Sequence, residues 1–192
     1  MMFVSESWGE LLELLKERSV LRGSFLLQSG RESSFYVNCK ETLLDPRGMS
    51  LTGLVLSSML HQESHPVDAV AGVSVGGDPM VCALVLTALS QGKLLPGILV
   101  RKEHKDHGTC RSHLEGAGQV RTGAQVLLLE DVITTGESTV RAVRALRGHH
   151  FQVPLVYALV DRGESQGKEA IEAEGCMVRS VFSRADLEKD TA

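Results

Sequence analysis

The strongest constraint on the fold is a run of four apolar residues, Val126 to Leu129, that ends in Glu130 and Asp131. The run is apolar at every position rather than at alternate ones, which suits a strand buried on both faces of a parallel sheet. A short polar turn follows, Val132-Ile-Thr-Thr-Gly-Glu-Ser138, and then a helical stretch from Thr139 to Arg147. Asp68 to Val75, Gly97 to Arg101, Val153 to Val160 and Cys176 to Phe182 read as further strands. Strands and helices alternate from Asp68 onward, which predicts an α/β domain: a central parallel sheet with helices on both faces.

In open sheets of this kind, ligands bind at the carboxyl edge of the strands. Glu130 and Asp131 fall at that edge. The turn adds successive backbone N–H groups, the hydroxyls of Thr134, Thr135 and Ser138, and a glycine, Gly136, that lets backbone approach a ligand. With a helix N-terminus behind it, such a turn is an anion cradle. Carboxylates repel phosphate, so their presence makes sense if the ligand also carries hydroxyls or brings a divalent cation. A sugar phosphate with a ribose diol and Mg2+ meets both conditions. The turn is not a Walker A loop, because no Gly-Lys-Ser/Thr follows it. The plainer alternative is a strand-to-helix turn in which Asp131 or Thr135 only caps the helix.

The chain has 192 residues, enough for one domain with a core of its own. Its formal net charge is -4 and it has no basic tail, which argues against a nucleic-acid partner. Cys39, Cys82, Cys110 and Cys176 are scattered, so neither a zinc site nor a disulfide framework is expected, and a reducing cytoplasm fits. The longest apolar run, Met80 to Leu89, is too short to span a bilayer, and the N-terminus does not read as a signal peptide.

Taken in order, Ser7 and Glu10 have capping-box spacing before a helix over about Trp8 to Arg18. Phe25 to Leu27 and Phe35 to Asn38 flank a Ser-Gly-Arg turn and read as a β-hairpin. Asp45-Pro46 is a cap and first helical residue for a helix reaching about His61. Asp78-Pro79 repeats that signal after the exit loop Gly76-Gly77, for a helix over about Pro79 to Ser90. Arg101, Lys102, Lys105 and His107 lie within seven positions, and the chain stays polar and glycine-bearing through Gly118. That composition suits a mobile lid over about residues 102–118 whose cations close on an anion; a solvated loop is the plainer alternative. Val153 to Val160 delivers Asp161-Arg162-Gly163 to the same sheet edge, and Glu164 to Glu174 and Arg184 to Glu188 read as helices.

The strand, acidic pair and Thr-Thr-Gly-x-Ser turn resemble the phosphoribosyl-pyrophosphate loop of the type I phosphoribosyltransferases. The hairpin pattern Phe-x-Leu-x-Ser-Gly-x-x-Ser-x-x-Tyr resembles the N-terminal hood of the orotate phosphoribosyltransferases, and Arg-Lys-x-x-Lys-x-His-Gly resembles their catalytic loop. These motifs span about Phe25 to Leu187. The resemblance implies a single domain, with about residues 1–45 as N-terminal helix and hood. It implies that Thr134 to Ser138 hold the 5-phosphate and that Glu130 and Asp131 hold the ribose, with Val132 and Ile133 completing the loop. Tyr36, Val37, Thr134 and Arg162 would bind orotate, the arginine meeting its carboxylate. Lys102 and Lys105, with Arg101 and His107, would bind pyrophosphate across a homodimer interface, so Lys102, Lys105, His107 and Asp131 form the catalytic set. Mg2+ would be bound mainly through phosphoribosyl pyrophosphate, without a dedicated protein site. The chain departs from many relatives in carrying Gln28 in place of Lys, and from some in having no Lys in the Gly76-Gly77 loop. Two other readings remain: a phosphoribosyltransferase for another base, and a non-enzymatic regulator that senses the sugar pyrophosphate.

Overall fold

The computed structural model describes residues 2–26, 32–101, 113–164 and 166–189. The chain opens with α1 (Met2–Arg18), then the hairpin strands β1 (Val20–Leu26) and β2 (Glu32–Val37), which pair antiparallel. Two helices follow, α2 (Lys40–Leu43) and α3 (Pro46–His61). Then come β3 (Ala69–Val73), α4 (Gly77–Ser90), β4 (Gly97–Val100) and β5 (Leu114–Glu115). The second half holds β6 (Gln125–Ile133), α5 (Glu137–Gly148), β7 (Gln152–Asp161), α6 (Gly167–Glu172), β8 (Met177–Ser183) and α7 (Arg184–Glu188). The main sheet has the order β5-β4-β3-β6-β7-β8, parallel throughout except for the short edge strand β5.

The continuous apolar run of β6 is explained by this position at the centre of the sheet. Side chains alternate across a strand, so Leu127 and Leu129 enter a core with Leu11 and Leu15 of α1, Leu56 of α3 and Leu84 of α4. Val126 and Leu128 enter the opposite core with Val143 and Leu146 of α5 and Ile171 of α6. The expected α/β architecture is therefore the observed one. Helix α3 begins as its sequence predicts: Asp45 Oδ1 accepts from the N–H groups of Arg47 and Gly48, both at 3.0 Å, with proline in the first turn.

Several boundaries differ from the sequence reading. Helix α1 starts well before Ser7, so Ser7 lies inside it and does not cap it; nothing among residues 2–6 breaks a helix. Helix α4 starts at Gly77 with Gly76 as its cap, which places Asp78 and Pro79 in its first turn. The reason is close approach: a Cβ on Gly72 would lie 2.6 Å from the Gly77 carbonyl oxygen, so two glycines let strand and helix meet. Asp78 instead accepts a hydrogen bond from Ser74 Oγ at 2.7 Å. Strand β6 runs on to Ile133, so Glu130 and Asp131 sit within it. Helix α6 is shorter than Glu164 to Glu174, because Glu164 is held by arginines instead. The final stretch assigned to a lid has regular structure: buried Leu114 pairs with Val100, and a 3-10 turn spans Ala117–Gln119. Lys102, Lys105 and His107, like Gln28, lie outside the described residues.

Candidate active site

Glu130 and Asp131 are neighbours on β6 with opposite surroundings. Glu130 is only 4% exposed. Its Oε2 accepts from Ser138 Oγ at 2.9 Å and from Thr139 Oγ1 at 2.8 Å, which ties the strand to the first turn of α5. Burial, reinforced by the adjacent Asp131 charge, pushes the Glu130 carboxyl up to about 8 despite those two donors. Glu130 therefore braces the turn from within, and the Ser138 hydroxyl is turned toward it. Alternation along β6 is the cause: adjacent strand residues point to opposite faces, so Glu130 turns with Leu128 to the α5 face and Asp131 turns to the other.

Asp131 is half-buried and stands at the sheet edge. Lys40, at the start of α2, places Nζ 4.0 Å from its Oδ2. Gly76 lies directly against it, and a Cβ there would overlap the Asp131 carboxyl carbon and both oxygens. The exit loop of β3 thus passes close to Asp131 because Gly76 has no side chain. The peptide bond between Ser74 and Val75 in this loop is cis.

The turn itself is set by Gly136, which adopts φ 74° as the cap of α5. A Cβ at that position would also run into the carbonyl oxygen of Gly167, so the left-handed conformation and the packing both require glycine. Gly167 in turn packs against the Thr134 carbonyl. Thr135 and Glu137 are exposed, Thr134 and Val132 half-buried, and Ile133 buried. Ile133 can therefore serve a ligand through its backbone alone. The helix opening at Glu137 points its first N–H groups back over this turn, the arrangement that attracts a phosphate.

On the other side of the edge, Arg162 follows β7 and is 5% exposed. One of its terminal nitrogens donates to the Phe35 carbonyl at 3.2 Å and to Glu164 Oε1 at 3.0 Å. Its Nε is buried with no partner among the described residues. Phe35 belongs to the hairpin, so Arg162 joins the hairpin to the sheet edge. Next to Phe35, the half-exposed Tyr36 ring stands 5.7 Å from that of Phe25, and Val37 is buried. Arg101 and His113 meet across the strand pair: the Arg101 N–H donates to the His113 carbonyl at 2.8 Å, and the Arg101 guanidinium meets Glu115 at 3.1 Å. A cavity of about 260 Å3 beside it is lined by Arg101, His113, Ser138 and Arg141.

Glu130, Asp131, Thr134 to Ser138, Tyr36 and Arg162 thus gather along one sheet edge, while Lys40, Gly167, Glu164 and Arg184 join them without an advance signal in the sequence. Lys40 and Arg184 are ordinary surface cations by local pattern; only the topology brings them here. Among the described residues, no cluster of three or more His, Cys, Asp or Glu could hold a metal ion unaided. No described helix is long and apolar enough to cross a membrane.

No protein-family model matches the chain. It is 44% identical over 180 residues to an orotate phosphoribosyltransferase of Sorangium cellulosum, covering 94% of this chain and 92% of that protein. It is 38% identical over 181 residues to the orotate phosphoribosyltransferase of Aquifex aeolicus, covering 93% and 96%. Among solved structures, orotate phosphoribosyltransferase of Mycobacterium tuberculosis, crystallised with Fe(III) dicitrate, superposes with a TM-score of 0.81 at 36% identity, covering 95% of this chain and 99% of that one. Adenine phosphoribosyltransferase of Leishmania donovani shares the fold at 16% identity, with a TM-score of 0.68 over 93% of this chain and 82% of that one.

Proposed function

The chain belongs to the orotate phosphoribosyltransferase family, and on that premise we propose how its geometry carries the reaction. The enzyme transfers the 5-phosphoribosyl group from phosphoribosyl pyrophosphate to orotate. The products are orotidine 5'-monophosphate and pyrophosphate, in de novo pyrimidine biosynthesis. The observation that supports the site assignment most directly is the β6–turn–α5 cradle, with Asp131 at its rim and Glu130 bracing it from below.

In this reading the 5-phosphate sits on the backbone N–H groups of the turn from Thr134 to Ser138, with the Thr135 hydroxyl beside it. Asp131 holds the ribose hydroxyls. Orotate lies between Tyr36 and Val37 of the hairpin and Thr134, its carboxylate toward Arg162, whose buried Nε–H is without a partner among the described residues. A buried donor of this kind is costly unless a ligand or water satisfies it. The ring nitrogen of orotate attacks the anomeric carbon as the bond from that carbon to the pyrophosphate oxygen breaks; the configuration inverts, and the proton that the nitrogen gives up leaves with pyrophosphate or to water. No protein nucleophile is required. Catalysis then consists of positioning and of stabilising the charge that builds on the leaving group.

Lys102, Lys105 and His107 supply that stabilisation, with Arg101 beside them in the chain. Mg2+ suits this donor set as an ion carried by substrate oxygens, with Asp131 the carboxylate at hand. When bound, it neutralises pyrophosphate charge. We further assign the enzyme to the cytoplasm and to a homodimer in which the loop completes the neighbouring site. The apolar face of α4 supports the dimer: Cys82, Leu86 and Leu89 are exposed at one-turn spacing, Leu86 by 63%. Pyrophosphate release from phosphoribosyl pyrophosphate with Mg2+ tests the assignment. It should depend on orotate and stop with EDTA; equal release with uracil in place of orotate would overturn the role of Arg162.

A further inference from the structure

Glu164 places a carboxylate directly against Arg162. Its Oε1 accepts from Arg162 at 3.0 Å, and the same oxygen accepts from Arg184 Nη1 at 3.0 Å. Taken alone, a Glu164–Arg162 pair would neutralise the cation that an anionic base needs. Arg184 changes the count: two guanidinium groups around one carboxylate leave one net positive charge. Glu188 also takes an Arg184 hydrogen bond, through Nε at 2.8 Å, but its side chain is 44% exposed and water screens it.

The same groups hold the hairpin. Arg162 donates to the Phe35 carbonyl, and the Arg184 guanidinium stands 5.0 Å from the centre of the Phe35 ring. Arg184 is placed there by the capping box of α7, in which the Ser183 side chain and the Asp186 carboxylate close on each other's backbone N–H. Phe35 is therefore gripped at its carbonyl by one arginine and at its ring by another, with Glu164 joining the two. Tyr36, the next residue, inherits that position.

We propose that Glu164 and Arg184 are positioning residues of the base site: Glu164 fixes the direction of the Arg162 guanidinium, and Arg184 offsets the Glu164 charge so that Arg162 remains available to an anionic base. The proposal rests on the reading of Arg162 as the carboxylate-binding residue. It makes the preference for a carboxylate-bearing pyrimidine a property of three side chains rather than one.

The test is steady-state kinetics on the full-length enzyme carrying Arg184→Gln, the double substitution Glu164→Gln with Arg184→Gln, and, as a control, Arg162→Lys. Arg184→Gln leaves Glu164 to neutralise Arg162, and KM for orotate should rise about tenfold, equivalent to about 1.4 kcal/mol. KM for phosphoribosyl pyrophosphate should stay within about twofold. The double substitution restores the single net positive charge and keeps a side-chain carbonyl at position 164 that accepts from Arg162, so KM for orotate should return to within about threefold of the wild-type value. A purely structural role gives a different pattern: both KM values rise together and the double variant is at least as impaired as the single one. That pattern overturns the proposal. If Arg162→Lys raises KM for orotate while Arg184→Gln does not, the positioning role falls and the Arg162 reading stands. If Arg162→Lys leaves KM for orotate unchanged, the Arg162 reading falls and the positioning role falls with it.

Discussion

Gly76→Ala separates the fold of this enzyme from its chemistry. Gly76 has φ -69° and ψ -35°, an ordinary right-handed conformation, so alanine brings no backbone strain and suits a helix start well enough. The new Cβ, however, would overlap the carboxyl carbon and both oxygens of Asp131, well inside the 3.0 Å that real Cβ atoms essentially never show. Restoring ordinary contact requires the Asp131 carboxylate to move by about 1 Å or more, and a displacement of about 1 Å at a reacting centre can cost roughly a hundredfold in rate. The atoms displaced are the free end of a side chain, so the cost to folding stays small, within about 1 kcal/mol. The expected result is a fall of about a hundredfold in kcat/KM with both substrates saturable, and a Tm within a few degrees of wild type. Activity within about threefold of wild type in a folded Gly76→Ala protein would refute the role given to Asp131 and the importance of its placement.

Other consequences follow from the same geometry. Lys105→Ala should lower kcat by about a hundredfold or more, as loss of a single transition-state donor does, with no change in Tm; near-normal turnover removes Lys105 from the mechanism. Burial, with the Asp131 charge, raises the Glu130 carboxyl to about 8, above its ordinary value of 4.5. The folded state therefore binds more protons than the unfolded state between these values, and the Glu130 contribution to stability is lost as pH rises from about 4.5 to about 8. Glu130→Gln should flatten that part of the Tm-against-pH curve relative to wild type; an unchanged slope contradicts the burial of the acid. Asp45→Ala removes two hydrogen bonds from the start of α3 and should cost about 1 kcal/mol in urea unfolding while kcat stays within about twofold.

What the sequence revealed was local. Val126 to Leu129 signalled a doubly buried strand because every residue is apolar, and Asp45-Pro46 marked the start of α3 because capping needs only neighbours. The Thr-Thr-Gly turn was legible for the same reason. The failures were those of context. Asp78-Pro79 carries the same signal as Asp45-Pro46, yet Gly72 and Gly77 let strand and helix approach until the helix begins earlier. Glu130 and Asp131 look equivalent in sequence, and only the pleat of β6 distinguishes the brace from the rim. Lys40 beside Asp131, Gly76 against its carboxylate, and Arg184 on Phe35 are contacts between distant segments, with no short-range pattern to announce them.

The central claim is that this sheet edge joins a sugar-phosphate cradle to a site for an anionic pyrimidine. Its most direct test is product formation from phosphoribosyl pyrophosphate and Mg2+ with orotate, uracil, adenine and hypoxanthine supplied one at a time, the nucleotide product identified in each case. Orotidine 5'-monophosphate from orotate, with kcat/KM at least about a hundredfold above that for uracil, is the predicted result, since a site built on a buried guanidinium rejects a base without the matching carboxylate. A purine nucleotide as the main product, or uracil used as well as orotate, would contradict it.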